Sequence, residues 1–223
     1  MEAIINDVKN VIRSRISNRV PIKEIRKIIP HFYIGGNSLN RTKPNDIDIF
    51  PTTNCEFVFS LDTKILSSTK NATTISIDGI TVQFCNYRHK SLKDLVDSFD
   101  FSHIQVGAEI NGDDCEIYFS DAYIKAKLTQ STEFVGSQYP LGSLIRAFKY
   151  QERGDFSGKS YIFSVLEILN NIIERGFSDY NDFKDQLDAV DLGLLPEDFK
   201  DMDASVLTRL YKNLSSNIPK EEL

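Results

Sequence analysis

The sequence predicts an α+β fold, and three observations carry that prediction. Residues 3–17 repeat apolar side chains with a helical period. Residues 31–120 switch to short runs of β-branched and aromatic residues broken by turn signals. From Asp121 onward the period is helical again. Helices gathered on either side of a strand-forming stretch give a mixed sheet with helical flanks, not an alternating βαβ chain. The expected division is a sheet domain with its N-terminal helices over residues 1–120 and a helical lobe over residues 121–223.

In the opening segment, AIINDVKNVIRSRIS, residues Ile4, Ile5, Val8, Val11, Ile12 and Ile16 share one helical face. A second short helix, PIKEIRKII, starts with Pro21 at an early position and stops before Pro30. The strand-like runs are FYIGG, DIDIF, TTISI and ITVQFCN. Asp78-Gly79, between the last two, is a two-residue hairpin signal. SLKDLVDSF reads as a helix capped by Ser91. HIQVGAEI and CEIYFS form a second hairpin around Asn111-Gly112. The best helical segments after Asp121 are PLGSLIRAFKYQER and YIFSVLEILNNIIERG, the latter closed by Gly176.

The 223 residues are 41% hydrophobic and include 15 Phe and 9 Tyr, enough for a sizeable core. A formal charge of −6 argues against a uniformly basic nucleic-acid coat. The charge is uneven: residues 1–30 hold seven Lys or Arg against three acids, and the C-terminal stretch is acid-rich. Cys55, Cys85 and Cys115 form no CxxC pair, and His31, His89 and His103 show no metal-ligand spacing, so reduced thiols and no zinc site are expected. No leader-like or membrane-spanning apolar run is present, so a soluble, cytoplasmic protein is expected.

The chemistry concentrates in HFYIGGNSLNRTKPNDIDIFP. In a strand, Asp46 and Asp48 point to one face, roughly 6.6–7 Å apart, while Ile47 and Ile49 point to the other. Two parallel carboxylates repel each other unless a cation sits between them. Mg²⁺, which prefers carboxylate and phosphate oxygens, is the simplest resolution. Gly35 and Gly36 at a strand end allow close backbone approach to a phosphate, with donors from Asn37 and Ser38; Arg41 and Lys43 come next in the loop. The alternative is a glycine turn before a surface strand whose aspartates face solvent.

This pattern resembles the signature of the DNA polymerase beta-like nucleotidyltransferase superfamily: a Gly-Gly or Gly-Ser turn, a loop, then Asp-x-Asp in an apolar strand. IGGNSLNRTKPNDIDIF matches at Gly35, Gly36, Asp46 and Asp48, and the resemblance covers roughly residues 31–110. It implies a palm sheet in which the glycine turn holds a triphosphate and the aspartates bind Mg²⁺ or Mn²⁺. It also implies a third carboxylate on a later strand, antiparallel to the Asp-x-Asp strand. The natural strand, GITVQFCNY, has none, and Gln83 stands about where the acid belongs. Asp100, between Phe99 and Phe101, is the favoured substitute as catalytic residue and metal ligand, ending a helix and starting a strand; Glu109 and Asp78 are the other candidates. An ordinary turn aspartate is the competing reading for Asp100.

In PLGSLIRAFKYQERGD, Leu141, Leu144, Ile145 and Phe148 form an apolar stripe, and Arg146, Lys149 and Arg153 share another face. That basic face is either solvated or set against a triphosphate or RNA backbone. By resemblance, Ser143, Arg146 and Lys149 join Gly35, Gly36, Asn37, Ser38 and Gln83 as nucleotide-binding candidates. The basic N-terminal helices read better as solvated amphipathic helices than as an RNA surface, since no aromatic residues interleave for base stacking.

The expected function is metal-dependent transfer of NMP from an NTP, with ATP favoured, to a hydroxyl, releasing pyrophosphate. A tRNA-like RNA 3′ end is preferred over a protein or small-molecule acceptor. The alternative is a weakened nucleotidyltransferase fold that binds a nucleotide or a partner protein.

Overall fold

The computed structural model describes residues 2–42, 44–188, 208, 209, 211–213 and 215. Lys43 and most of the acid-rich C-terminal stretch, for which the sequence pattern predicts helix, lie outside the described residues. The chain divides into compact units of Met1–Lys127 and Leu128–Leu223.

The first unit opens with α1 (Glu2–Arg19) and α2 (Ile22–Ile28). Strand β1 (His31–Gly35) comes next, then the short helix α3 (Asn37–Asn40) and β2 (Ile47–Pro51). After these come β3 (Ile65–Ser68), β4 (Ala72–Ile77), β5 (Ile80–Cys85), α4 (Leu92–Asp97), a 3₁₀ turn (Ser102–Ile104), β6 (Val106–Asn111) and β7 (Asp114–Phe119). The seven strands form one sheet in the order β3-β4-β5-β2-β1-β6-β7. Among the described residues, only β2 and β5 pair in parallel. The expectation that β5 runs antiparallel to the Asp-x-Asp strand is therefore not met. The Asp78-Gly79 hairpin reverses β4 into β5, and β5 then lies on β2 running the same way.

Alternation along the strands builds two faces. On one, Phe32, Ile34, Ile47, Ile49, Val82, Phe84, Ala108 and Ile110 pack with Ile12, Ile16, Ile25 and Ile29 from α1 and α2. Each fully buried side chain of this kind contributes about 1.5–3 kcal/mol. Of the face read for the first helix, Ile12 and Ile16 are buried and Val8 is partly so, while Ile4 and Val11 are exposed. On the other face, Tyr33, Phe50 and Cys85 pack with Leu92, Leu95 and Val96 of α4.

The turns agree with their sequences. Asp78 and Gly79 both adopt positive φ, 51° and 79°, as a tight hairpin turn requires. The second hairpin turns on Gly112-Asp113, one residue later than expected, because Asn111 pairs with Asp114. Ser91 caps α4 by accepting from Asp94 N–H at 3.1 Å. The edge strand β3, exposed at every position, gave no alternating signal.

α5 (Asp121–Thr129) runs across the division between the units. The second unit holds α6 (Pro140–Glu152), α7 (Ser160–Arg175) and α8 (Tyr180–Asp188). α6 buries Pro140, Ser143, Ala147 and Tyr150, not the stripe of larger side chains read from the sequence; Phe148 is exposed. Small residues at Gly142, Ser143 and Ala147 suit close helix packing, and α6 packs on α7 and α8. Gly176 ends α7 with φ 63°, and Arg175 holds Asp182 through two bonds of 3.0 and 2.9 Å. No described helix is long and apolar enough to cross a membrane.

Candidate functional site: a carboxylate pair beside a glycine turn

The two aspartates stand where β2 begins. Asp46 is the residue before the strand and Asp48 its second residue, so the pair straddles the strand start instead of lying within it. Asp46 and Asp48 are both half-buried, while Ile47 and Ile49 are buried in the core. Both carboxylates raise the ionisation point of Cys85: burial pushes that thiol well up, and Asp48 and then Asp46 add to the shift. Within the strand, Asp48 alternates with the core residues Ile47 and Ile49 and so lies on the side of the sheet that carries α4.

Asp48 is tied to the glycine turn. Its backbone N–H donates to Ser38 Oγ at 2.8 Å, and the Ser38 hydroxyl donates on to Asp48 Oδ2 at 3.4 Å. Ser38 is buried in α3, directly after the Gly35-Gly36-Asn37 turn. Ser38, a nucleotide-binding candidate from the sequence, thus also contacts the carboxylate of Asp48.

The two glycines differ in what they do. At Gly35 a Cβ would lie 2.6 Å from Phe99 Cζ, so the missing side chain makes room for the Phe99 ring. Its register partner Gly107 likewise leaves room for Leu92 and Val96. Close packing of Phe99 and Leu95 therefore requires a glycine at position 35. Gly36 has φ 66°, which disfavours any other residue, and a Cβ there would meet nothing closer than 3.7 Å. Gly36 N–H donates to Val106 O at 2.9 Å, which joins the turn to β6.

The turn is also held from outside. Arg15 of α1 donates from Nη1 to the carbonyl oxygens of Leu39 and Asn40, each at 2.6 Å. Arg19 reaches Arg41 O at 3.5 Å, and Lys127 donates to Asn40 Oδ1. Burial of the Arg15 guanidinium lowers its pKa from the ordinary arginine value. Two of the basic side chains read as a solvated face are thus bound to backbone of the site loop. Nothing in the local sequence signals that role.

Gln83 is the direct Cα partner of Asp48. The residue beside Asp48 on the neighbouring strand is therefore an amide. Asp100 lies beyond α4, 4% exposed, and precedes the 3₁₀ turn; the next strand, β6, starts at Val106. Glu109 sits opposite Tyr33 and bonds His31 Nε2 at 2.6 Å. Asp78 occupies the turn between β4 and β5. Among the described residues, no group of three His, Cys, Asp or Glu side chains converges as a metal site. What remains is an oxygen-donor pair beside a protonated thiol and an amide, a donor set suited to a hard cation.

Ser143, Arg146 and Lys149 belong to α6 in the second unit. Ser143 is buried and its hydroxyl donates to Tyr139 O at 3.3 Å, one turn back. Arg146 folds onto Ser143 Oγ at 3.4 Å. Lys149 is partly exposed on the same helix.

No family model and no curated protein matches the chain. Solved structures do. A CCA-adding enzyme in complex with CTP matches 91% of this chain and 53% of its own length at 14% identity, with a TM-score of 0.51. A CCA-adding enzyme in an apo form matches 93% and 55%, at 13% identity and a TM-score of 0.50. The chain spans about half the length of these structures. At such identity the likeness is one of fold: the α+β arrangement is the nucleotidyltransferase fold of those enzymes.

Proposed function

We propose that the chain is a nucleotidyltransferase that moves a nucleoside monophosphate from an NTP to a hydroxyl acceptor, with release of pyrophosphate. The observation that carries this reading is the Ser38–Asp48 link. It joins the glycine turn and the carboxylate pair, two features separated by a polar loop in sequence, into one site. The fold shared with CCA-adding enzymes supports the same class, and one of those structures contains CTP. An RNA 3′ end is the favoured acceptor over a protein or a small molecule. ATP is the favoured donor among the four nucleotides.

In this reading Asp46 and Asp48 hold Mg²⁺ or Mn²⁺, which supplies charge neutralisation for the phosphates and activation of the acceptor hydroxyl. Ser38 fixes the aim of Asp48. Gly35, Gly36 and Asn37 form the turn that faces the triphosphate. Gln83 offers an amide donor beside Asp48, and Arg146 and Lys149 supply positive charge to phosphate or RNA. Asp100 stays with the site as the candidate third carboxylate. The reaction forms one P–O bond from the acceptor oxygen to the α-phosphorus and breaks the bond to pyrophosphate; the hydroxyl proton leaves.

A second reading has one observation in its favour: the neighbour of Asp48 is Gln83, not an acid. That arrangement suits a fold that binds nucleotide and transfers slowly or not at all. Incubation with each NTP, Mg²⁺ or Mn²⁺, and total RNA or total protein separates the two. Incorporation lost in Asp46→Asn/Asp48→Asn protein supports the transferase and names its acceptor class. Mg²⁺-dependent nucleotide binding without transfer supports the second reading.

A further inference from the structure

Helix α3 has four residues, far too few to be stable by its own hydrogen bonds. Its C-terminal carbonyls have no partners within the helix. Arg15 fills that deficit from 24 and 25 residues earlier in the chain, binding Leu39 O and Asn40 O with one guanidinium nitrogen. Arg19 and Lys127 add contacts at Arg41 and Asn40. The other side of the same four-residue helix carries Ser38, whose hydroxyl binds both the backbone and the carboxylate of Asp48. The contacts are thus continuous: Arg15 to the carbonyls, the carbonyls to α3, and α3 through Ser38 to Asp48.

We infer that Arg15 is a positioning residue for Asp48, acting through α3: it fixes the seat of Ser38 and so the aim of the carboxylate. This rests on the transferase reading for its effect on catalysis, but not for its effect on the loop. Arg15 touches no reacting atom in this scheme. Arg13, two residues away on α1, is exposed and its side chain bonds Asn10 of the same helix at 3.5 Å, so it serves as the control.

The test compares wild type, Arg15→Ala, Arg15→Lys and Arg13→Ala in the full chain. Amide hydrogen exchange is followed by mass spectrometry, and transfer kinetics are measured with NTP. In Arg15→Ala, exchange over residues 36–48 rises by about tenfold or more while β4, β5 and β7 keep their protection. kcat falls by up to the order of 100-fold, the scale expected when a reacting group is displaced by about 1 Å. KM for NTP changes less. Arg15→Lys lies between, since an ammonium lacks the planar fork, and added guanidinium at low millimolar concentration restores part of the Arg15→Ala rate. Arg13→Ala matches wild type.

Unchanged exchange over 36–48 overturns the inference. So does a uniform rise across the whole first unit, which marks Arg15 as a general stability residue. Raised exchange with unaltered kcat also overturns it. If wild type transfers no nucleotide under any condition, the transferase reading fails, and the exchange pattern alone then decides the role of Arg15.

Discussion

Ser38 Oγ lies 2.8 Å from the backbone nitrogen of Asp48 and 3.4 Å from its Oδ2, so one hydroxyl serves both the strand and the carboxylate. Ser38→Ala removes both contacts and leaves a half-buried N–H without its acceptor. The expected loss of stability is about 1–3 kcal/mol, read by urea denaturation. Transfer activity falls further than stability alone requires, because the carboxylate loses its fixed orientation. Ser38→Thr, which keeps the hydroxyl, retains more activity than Ser38→Ala.

Gln83→Asp places a third carboxylate beside Asp48. Like charges on paired strand positions cost about 0.2–1 kcal/mol in the absence of a cation. Gln83→Asp protein is therefore less stable than wild type in EDTA. Millimolar Mg²⁺ recovers the difference, since a ligand that binds only the folded state stabilises it. Thermal melts with and without Mg²⁺ measure this. A gain in Mg²⁺-dependent transfer by Gln83→Asp marks the amide as the feature that limits metal binding in wild type.

Gly35→Ala forces a Cβ to within 2.6 Å of Phe99 Cζ. The cost is about 1–3 kcal/mol, as for other overpacked sites. Phe99→Leu relieves the contact, so the double variant is more stable than the sum of the single changes predicts, with a coupling of about 0.5–3 kcal/mol. A double-mutant cycle in urea measures it. At Gly36 the strain comes from φ 66°, so Gly36→Ala gains nothing from Phe99→Leu.

Cys85 titrates well above an ordinary thiol, first because it is buried and then because Asp48 and Asp46 oppose a second negative charge. The folded state therefore keeps the proton where the unfolded chain loses it. This contribution to stability is complete below the unfolded thiol value of about 8.5 and is lost as pH rises from there toward the folded value. The stability advantage of wild type over Cys85→Ala shrinks as pH is raised from about 8 to about 10, the range in which an unperturbed thiol ionises. A series of urea titrations across that range gives the difference curve.

Much of the site was legible in the sequence because strand alternation and glycine turns are local signals. Ile47 and Ile49 mark the buried face, which leaves Asp48 on the other, and Ser91 and Gly176 mark helix ends. The links that assemble the site are not local. Ser38 reaches Asp48 across a loop, Arg15 reaches α3 across 24 residues, and Phe99 fills the space left by Gly35. No periodicity encodes such contacts. The stripe expected on α6 failed for a related reason. Leu141, Leu144, Ile145 and Phe148 are the larger apolar residues, yet the helix buries the face of small residues that permits closer packing.

The most direct test uses NTP labelled at the α-phosphate and, in parallel, at the γ-phosphate, with RNA as acceptor and Mg²⁺ present. If Asp46 and Asp48 serve nucleotidyl transfer, α-label enters RNA, γ-label leaves as pyrophosphate, and Asp48→Asn abolishes both. Label moving from the γ-position into the acceptor, or transfer that survives in Asp48→Asn protein, would contradict it.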